Sequence, residues 1–308
     1  MGGAFHAGVL AALEEATGWD PRRAAIVVGT SAGSISGAGL RAGLSAADML
    51  ARATDRPMSA EGAALLRDVD GPAGVPPLRP ARAARPPAQL AATLARAAAR
   101  PFRARPWALI AGLLPEGSVS TEMISQGIAP LFGSAWPSAP LWICAVHQAD
   151  GRRVVFGRDA ERAALPEAVA ASCAIPGFFE TVAIGGERYI DGGVHSPTNA
   201  DVLRPAAADL DLVVVSSPMS LAGRRPGLSV DRPARRWAGA LLDAEALVLR
   251  RRGLHVIAFQ PTADDAALMG FNAMDPARRA AVADHARAST LRRLERSDTR
   301  TRLADLFA

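Results

Sequence analysis

The chain has 308 residues, 49% of them apolar and only 5% aromatic, with a formal net charge of +5. That length can bury a core as one large α/β domain or two smaller ones, and the composition excludes a disordered or fibrous protein. Every one of the 35 Lys+Arg residues is arginine, which excludes a Ser–Lys dyad, a Schiff-base lysine and a P-loop lysine.

In chain order, the first strand pattern is Ala24–Val28, followed by helical patterns at Ala32–Ala42 and Ala46–Ala53. A proline- and arginine-rich stretch, Gly71–Pro87, reads as an irregular surface insertion extending to about residue 106. Within it, an alanine- and arginine-rich helical pattern at Ala88–Ala99 follows the proline-rich stretch. The apolar run Trp107–Leu114 follows and is far shorter than the roughly 18–20 residues a bilayer span needs. Strands are expected at Leu141–Val146 and Arg153–Gly157, with a hairpin turn at Ala149–Gly151 between them, so the sheet should be mixed. A short strand runs into Asp191. Further strands are expected at Leu210–Ser216 and Leu254–Phe259, and helices at Ala234–Arg251 and Pro276–Arg296. Short, nearly continuous apolar strands separated by helices indicate an α/β fold, a mostly parallel but mixed sheet covered by helices on both faces. The whole chain, 1–308, is expected to form one domain with a helical C-terminal region at about 263–308.

The arginines are scattered and no aromatics interleave with them, so no nucleic-acid surface is expected. Cys144 and Cys173 fit neither a disulfide framework nor a zinc site and read as small buried hydrophobes. No spacing suits a metal, and no cofactor is implied. With no leader-like start and no spanning run, the expected location is the cytoplasm. The arginine-rich insertion is either a solvated surface segment or a lid or peripheral contact for an anionic membrane surface.

Gly29-Thr30-Ser31-Ala32-Gly33 matches G-x-S-x-G. The bare pattern arises by chance in roughly one chain in ten of this length, so its context decides. A buried strand feeds it and a small-residue helix leaves it, the setting of a nucleophile elbow. Glycines at both ends allow a crowded turn, and Ser31 then heads a helix whose free N–H groups favour developing negative charge. The alternative is that Ser31 only caps the helix.

A serine nucleophile needs a base. The histidines are His6, His147, His195, His255 and His285. Asp191 followed by His285 would satisfy the order of an α/β-hydrolase triad, but about thirty residues before Ser31 are too few for that architecture. Asp191, at a strand end and followed by Gly192 and Gly193, is placed as a carboxylate aimed at a site would be; the same letters also make an ordinary Asp-Gly turn.

Three stretches, "GGAFHAGVLAALEEATGWDPRRAAIVVGTSAGSISG", "WICAVHQADGRRVVFGRD" and "AVAASCAIPGFFETVAIGGERYIDGGVHSPTNADVL", together resemble the bacterial type of patatin-like phospholipase, in content and in order. The resemblance implies a three-layer patatin-like fold. It implies a Ser–Asp dyad in which Ser31 is the nucleophile and Asp191 the general base, in the family's D-G-[GA] motif with Gly192 and Gly193. The family opens with a strand and a glycine-rich oxyanion loop, G-G-G-x-[RK]-G. Aligned on "GVL", only Gly2 and Gly3 of this sequence overlap that loop, as partial oxyanion donors, with Gly2 where Arg or Lys is usual. A start site upstream of Met1 is therefore expected.

The expected function is a serine lipid acyl hydrolase, a phospholipase or esterase working through an acyl-enzyme on a lipid or acyl-ester substrate. The alternatives are an impaired acyl- or lipid-binding protein on the same fold, or a soluble thioesterase.

Overall fold

The computed structural model describes residues 1–69, 117–223, 231–270, 274–296 and 303. The insertion at about 71–106, the helix expected at Ala88–Ala99 and the apolar run Trp107–Leu114 lie outside the described residues. So does most of the chain beyond 296. Two compact units emerge. One comprises Met1–Ala25, Gly39–Leu65 and Ala200–Ala308, the other Ile26–Ala38 and Leu66–Asn199. The fold class is α/β with mixed strand pairing, as expected from the sequence.

In the first unit, helix α1 (Gly2–Thr17) packs against the C-terminal helix and the helix Ala46–Ala53. Gly8 allows the closest approach: a Cβ there would lie 2.3 Å from the Ala283 carbonyl oxygen. The sequence pattern did not announce α1, because its apolar residues face every direction and Ala4 to Val9 are all buried. Strands Leu212–Ser216 and His255–Phe259 pair in parallel. The helix expected to start at Pro276 begins as a 3-10 turn, Pro276–Arg278, capped by Asp275, and becomes α-helical at Arg279–Arg296.

The second unit is built on a five-stranded sheet. Its centre is β2 (Leu141–His147), buried along most of its length. β1 (Val27–Thr30) pairs with it in parallel, Thr30 opposite Cys144. β3 (Arg153–Phe156) pairs antiparallel through the expected turn, with Gly151 at φ 71°. β4 (Val182–Ile184) and β5 (Glu187–Asp191) form a hairpin, and β5 pairs antiparallel with β2, Asp191 opposite Ala145.

This register sets up the site. Ile143 pairs with both Gly29 and Phe156, and Ala145 with both Asp191 and Val154. β3 therefore occupies one edge of β2, while β1 and β5 share the other, one after the other. They run in opposite directions, so their C-terminal ends meet head-on over Cys144 and Ala145. α2 (Ala32–Ala42) leaves the end of β1. α3 (Leu165–Ser172), buried on nearly every side, packs on β2, β4 and β5. The apolar core between them includes Ile143, Ala145, Phe156, Leu165 and Val169, each fully buried.

β1 differs from expectation in its bounds. It spans Val27–Thr30 rather than Ala24–Val28, so the strand delivers its last residue directly before Ser31. Among the described residues, no helix is long and apolar enough to cross a membrane.

Candidate active site

Ser31 sits between the end of β1 and the start of α2 with φ 52°. A non-glycine residue in the left-handed region is strained, and such strain persists only where surrounding bonds over-determine it. Here they do. The Ser31 N–H donates to Ser172 Oγ at 2.9 Å. Its carbonyl accepts from the Ser34 N–H at 2.8 Å and from Ser34 Oγ at 2.6 Å. The elbow also requires glycine at 29, where a Cβ would lie 2.5 Å from Ser34 Cα.

The Ser31 side chain lies beside the carboxyl group of Asp191, within its electrostatic reach. Asp191 is 4% exposed. Its Oδ1 accepts from the Gly193 N–H at 2.6 Å, and its own N–H donates to the Ala174 carbonyl at 3.0 Å. Burial pushes the Asp191 pKa up to about 6, against the opposing pull of the Ser31 hydroxyl and the Gly193 amide. Gly192 must be glycine for a local reason: a Cβ there would lie 2.2 Å from the Cys144 carbonyl oxygen. The chain turns away from β5 immediately over β2, and only a residue without a side chain fits.

Cys173 lies against the same cluster. Its thiol is 3.6 Å from Ser34 Oγ and lies beside the Ser31 side chain. Burial first, and then the neighbouring Asp191 charge, push it up to about 12, so it stays a neutral thiol.

Two further residues complete the local frame, and the sequence reading gave neither a role. Ser172, fully buried at the end of α3, accepts from Ser31 and donates to the Cys144 carbonyl at 2.7 Å. Asn199, fully buried at φ 49°, donates through Nδ2 to Thr30 Oγ1 at 3.1 Å, the Gly192 carbonyl at 3.3 Å and the Ser196 carbonyl at 2.5 Å. Its Oδ1 accepts from Arg153. One side chain thus ties the residue before Ser31 to the residue after Asp191. Ser172 lies in the quoted stretch "AVAASCAIPGFF", but nothing in its letters separates it from a buried small residue. For Asn199, the signal was its tolerance of positive φ.

The elbow residues Gly29, Thr30, Ala32 and Gly33 and the acid motif Asp191-Gly192-Gly193 come together around Ser31. Gly2 and Gly3 lie in the first turn of α1, in the other unit. Three of the five histidines are engaged elsewhere: His6 Nδ1 with Ser216 Oγ, His147 with Asp150 and Glu187, and His285 with Asp265. Among the described residues, no group of three or more His, Cys, Asp or Glu is placed to hold a metal.

The cluster thus sets a serine on a strained strand–helix turn beside a buried carboxyl group. The family model for patatin-like phospholipases matches residues 1–204. The chain belongs to this family. Membership places it among lipid acyl hydrolases. Comparison with curated proteins gives no match. The matched span of this patatin-like chain contains the whole cluster from Gly29 to Asn199.

Proposed function

We propose that this patatin-like chain hydrolyses carboxylic esters of lipids through a Ser31–Asp191 dyad and an acyl-enzyme. The observation that carries the reading is the placement of Ser31 beside a buried carboxyl group by two strands that end opposite Cys144 and Ala145, with burial lifting the pKa of that carboxyl to about 6. An Asp at its ordinary value is a weak base; one lifted toward the working pH is stronger and still mostly ionised near pH 7.

In this scheme Asp191 accepts the Ser31 proton as Oγ attacks the ester carbonyl. The tetrahedral intermediate collapses, the alcohol leaves with the proton from Asp191, and the acyl group stays on Ser31. Water, activated by the same carboxylate, then releases the fatty acid. The oxyanion is stabilised by amides at the head of α2, where the helix dipole favours negative charge. Ile35, one turn beyond Ser31 on α2 and 43% exposed, and Ile175, 38% exposed, offer apolar surface suited to an acyl chain.

The two units are read as one patatin-like domain, since the family match runs through segments of both. A cytoplasmic, peripherally membrane-associated enzyme is the accompanying proposal.

The test is hydrolysis of a short-chain chromogenic ester and of phospholipid vesicles by the full chain beside Ser31→Ala. Activity on both that Ser31→Ala abolishes supports the reading. Activity confined to a thioester substrate favours a thioesterase. Lipid binding with no turnover favours the binding protein.

A further inference from the structure

The strained backbone of a nucleophile elbow has to be held from both sides. On the carbonyl side of Ser31 the holder is Ser34, within the same turn. On the amide side it is Ser172, 141 residues away in sequence. Ser172 Oγ is a relay: it accepts from the Ser31 N–H at 2.9 Å and donates to the Cys144 carbonyl at 2.7 Å. Cys144 is the residue of β2 that pairs with Thr30, and Gly192 passes directly over its carbonyl. The hydroxyl therefore references the nucleophile to the strand residue over which the acid-bearing loop turns.

We propose that Ser172 is a positioning residue for the reaction, setting the direction of the Ser31 side chain toward Asp191 by fixing the backbone amide from which it departs. The inference rests on the Ser31–Asp191 reading given above. Its chemistry follows from donor and acceptor counting. A serine hydroxyl has one proton and can do both tasks, accepting from an amide while donating to a carbonyl; alanine can do neither. A fully buried site offers no water in compensation.

A second consequence concerns the oxyanion. The Ser31 N–H points at Ser172, so the nucleophile's own amide is committed to structure. Oxyanion donors then have to come from the residues that follow Ser31 and from elsewhere, not from Ser31 itself. Ser172 thus places the nucleophile and also removes one donor from the set that could face the substrate. Cys173, the next residue, brings its neutral thiol against the Ser31 side chain, so consecutive residues at the end of α3 contact the backbone and the side chain of the nucleophile.

The test compares kcat and KM for ester hydrolysis in the full chain, Ser172→Ala, Ser172→Cys, Val169→Ala and Ser31→Ala, each with its Tm. Val169 is fully buried on the same helix and belongs to the apolar core, so its truncation loosens α3 without touching the relay. Misplacing a reacting group by about 1 Å costs on the order of 10²-fold. Ser172→Ala is expected to lower kcat about 10- to 100-fold with KM within about twofold. Ser172→Cys, whose thiol is a weaker donor, should fall between it and the parent. Val169→Ala should lower Tm and keep kcat per folded molecule. If Ser172→Ala does not fold, Ser172→Cys carries the comparison. Unchanged kcat in the Ser172 variants, or an equal loss in Val169→Ala, overturns the inference while leaving the dyad standing. Activity that survives Ser31→Ala overturns the dyad, and this inference with it.

Discussion

Ser31 and Asp191 are brought together by strands that meet head-on: Thr30 ends β1 opposite Cys144, Asp191 ends β5 opposite Ala145, and the two strands run toward each other along one edge of β2. Residues 160 positions apart become neighbours because their strands end at adjacent residues of a third. The arrangement fixes the pair from the backbone outward, before any side-chain packing is considered.

If Asp191 is the base, removing its charge while keeping its shape should stop the chemistry and spare the fold. Asp191→Asn is expected to reduce kcat by about 10³–10⁴-fold, the scale seen when an acid is replaced by its amide in a serine-hydrolase triad. Steady-state ester hydrolysis with matched circular dichroism checks it. A loss under tenfold would show that the proton goes elsewhere.

The raised pKa of Asp191 has opposite consequences for activity and stability. Activity needs the carboxylate, so kcat/KM should rise with pH through about 6 and level off above. Stability runs the other way. The folded state holds this proton more tightly than the unfolded state, where the value is near 3.8. The contribution of this group is therefore most favourable below the unfolded value and is lost as pH rises through about 6. Above that pH the buried charge costs up to about 3 kcal/mol. Asp191→Asn should consequently be more stable than the parent at pH 8, with the difference vanishing near pH 4. Urea titrations at the two pH values measure this, and an equal difference at both would contradict the burial argument.

Gly192 is constrained by space rather than by φ. A Cβ 2.2 Å from the Cys144 carbonyl oxygen forces backbone to move, because the obstacle is main chain on the central strand. Gly192→Ala should destabilise by about 1–3 kcal/mol or more and displace Asp191 from Ser31. Gly193→Ala makes a useful contrast: there the near atom is Asp191 Oδ1 at 2.9 Å, a side-chain atom that can give, so stability should suffer less while kcat still falls. Denaturant midpoints and kcat for the two variants separate the effects.

Much of this was legible in the sequence. The strand–turn–helix around Ser31 is local, and local pattern reports it. The hairpin at Ala149–Gly151 is announced by its turn residues. The placement of Asp191 beside Ser31 depends on register: it requires β5 to pair with β2 one residue past the last residue that β1 uses. Neither β1 nor β5 carries that information in its own letters. α3 escaped notice because it is buried on almost every side and shows no polar face, and Ser172 was hidden with it. Asn199 looked like any residue of a polar loop; its four side-chain bonds exist only because three separate segments converge there.

Asn199 supplies a further test. Asn199→Ala and Asn199→Gly both remove the bonds to Thr30 and Gly192, but glycine accepts φ 49° without strain and alanine does not. Each should destabilise by about 1–3 kcal/mol for the lost buried bonds. Asn199→Ala should be worse than Asn199→Gly by about 1 kcal/mol. Both should lower kcat to a similar degree, since the clamp between Thr30 and Gly192 is absent in each. Equal stability of the two variants would show that the backbone at 199 relaxes.

The central claim is that Ser31 is the nucleophile and Asp191 activates it. The most direct measurement is peptide mapping by mass spectrometry after reaction with a fluorophosphonate, together with the labelling rate in Asp191→Asn. The account predicts a single adduct on Ser31, formed at least about 10²-fold more slowly in Asp191→Asn. An adduct on another residue, or undiminished labelling of Ser31 without Asp191, would contradict it.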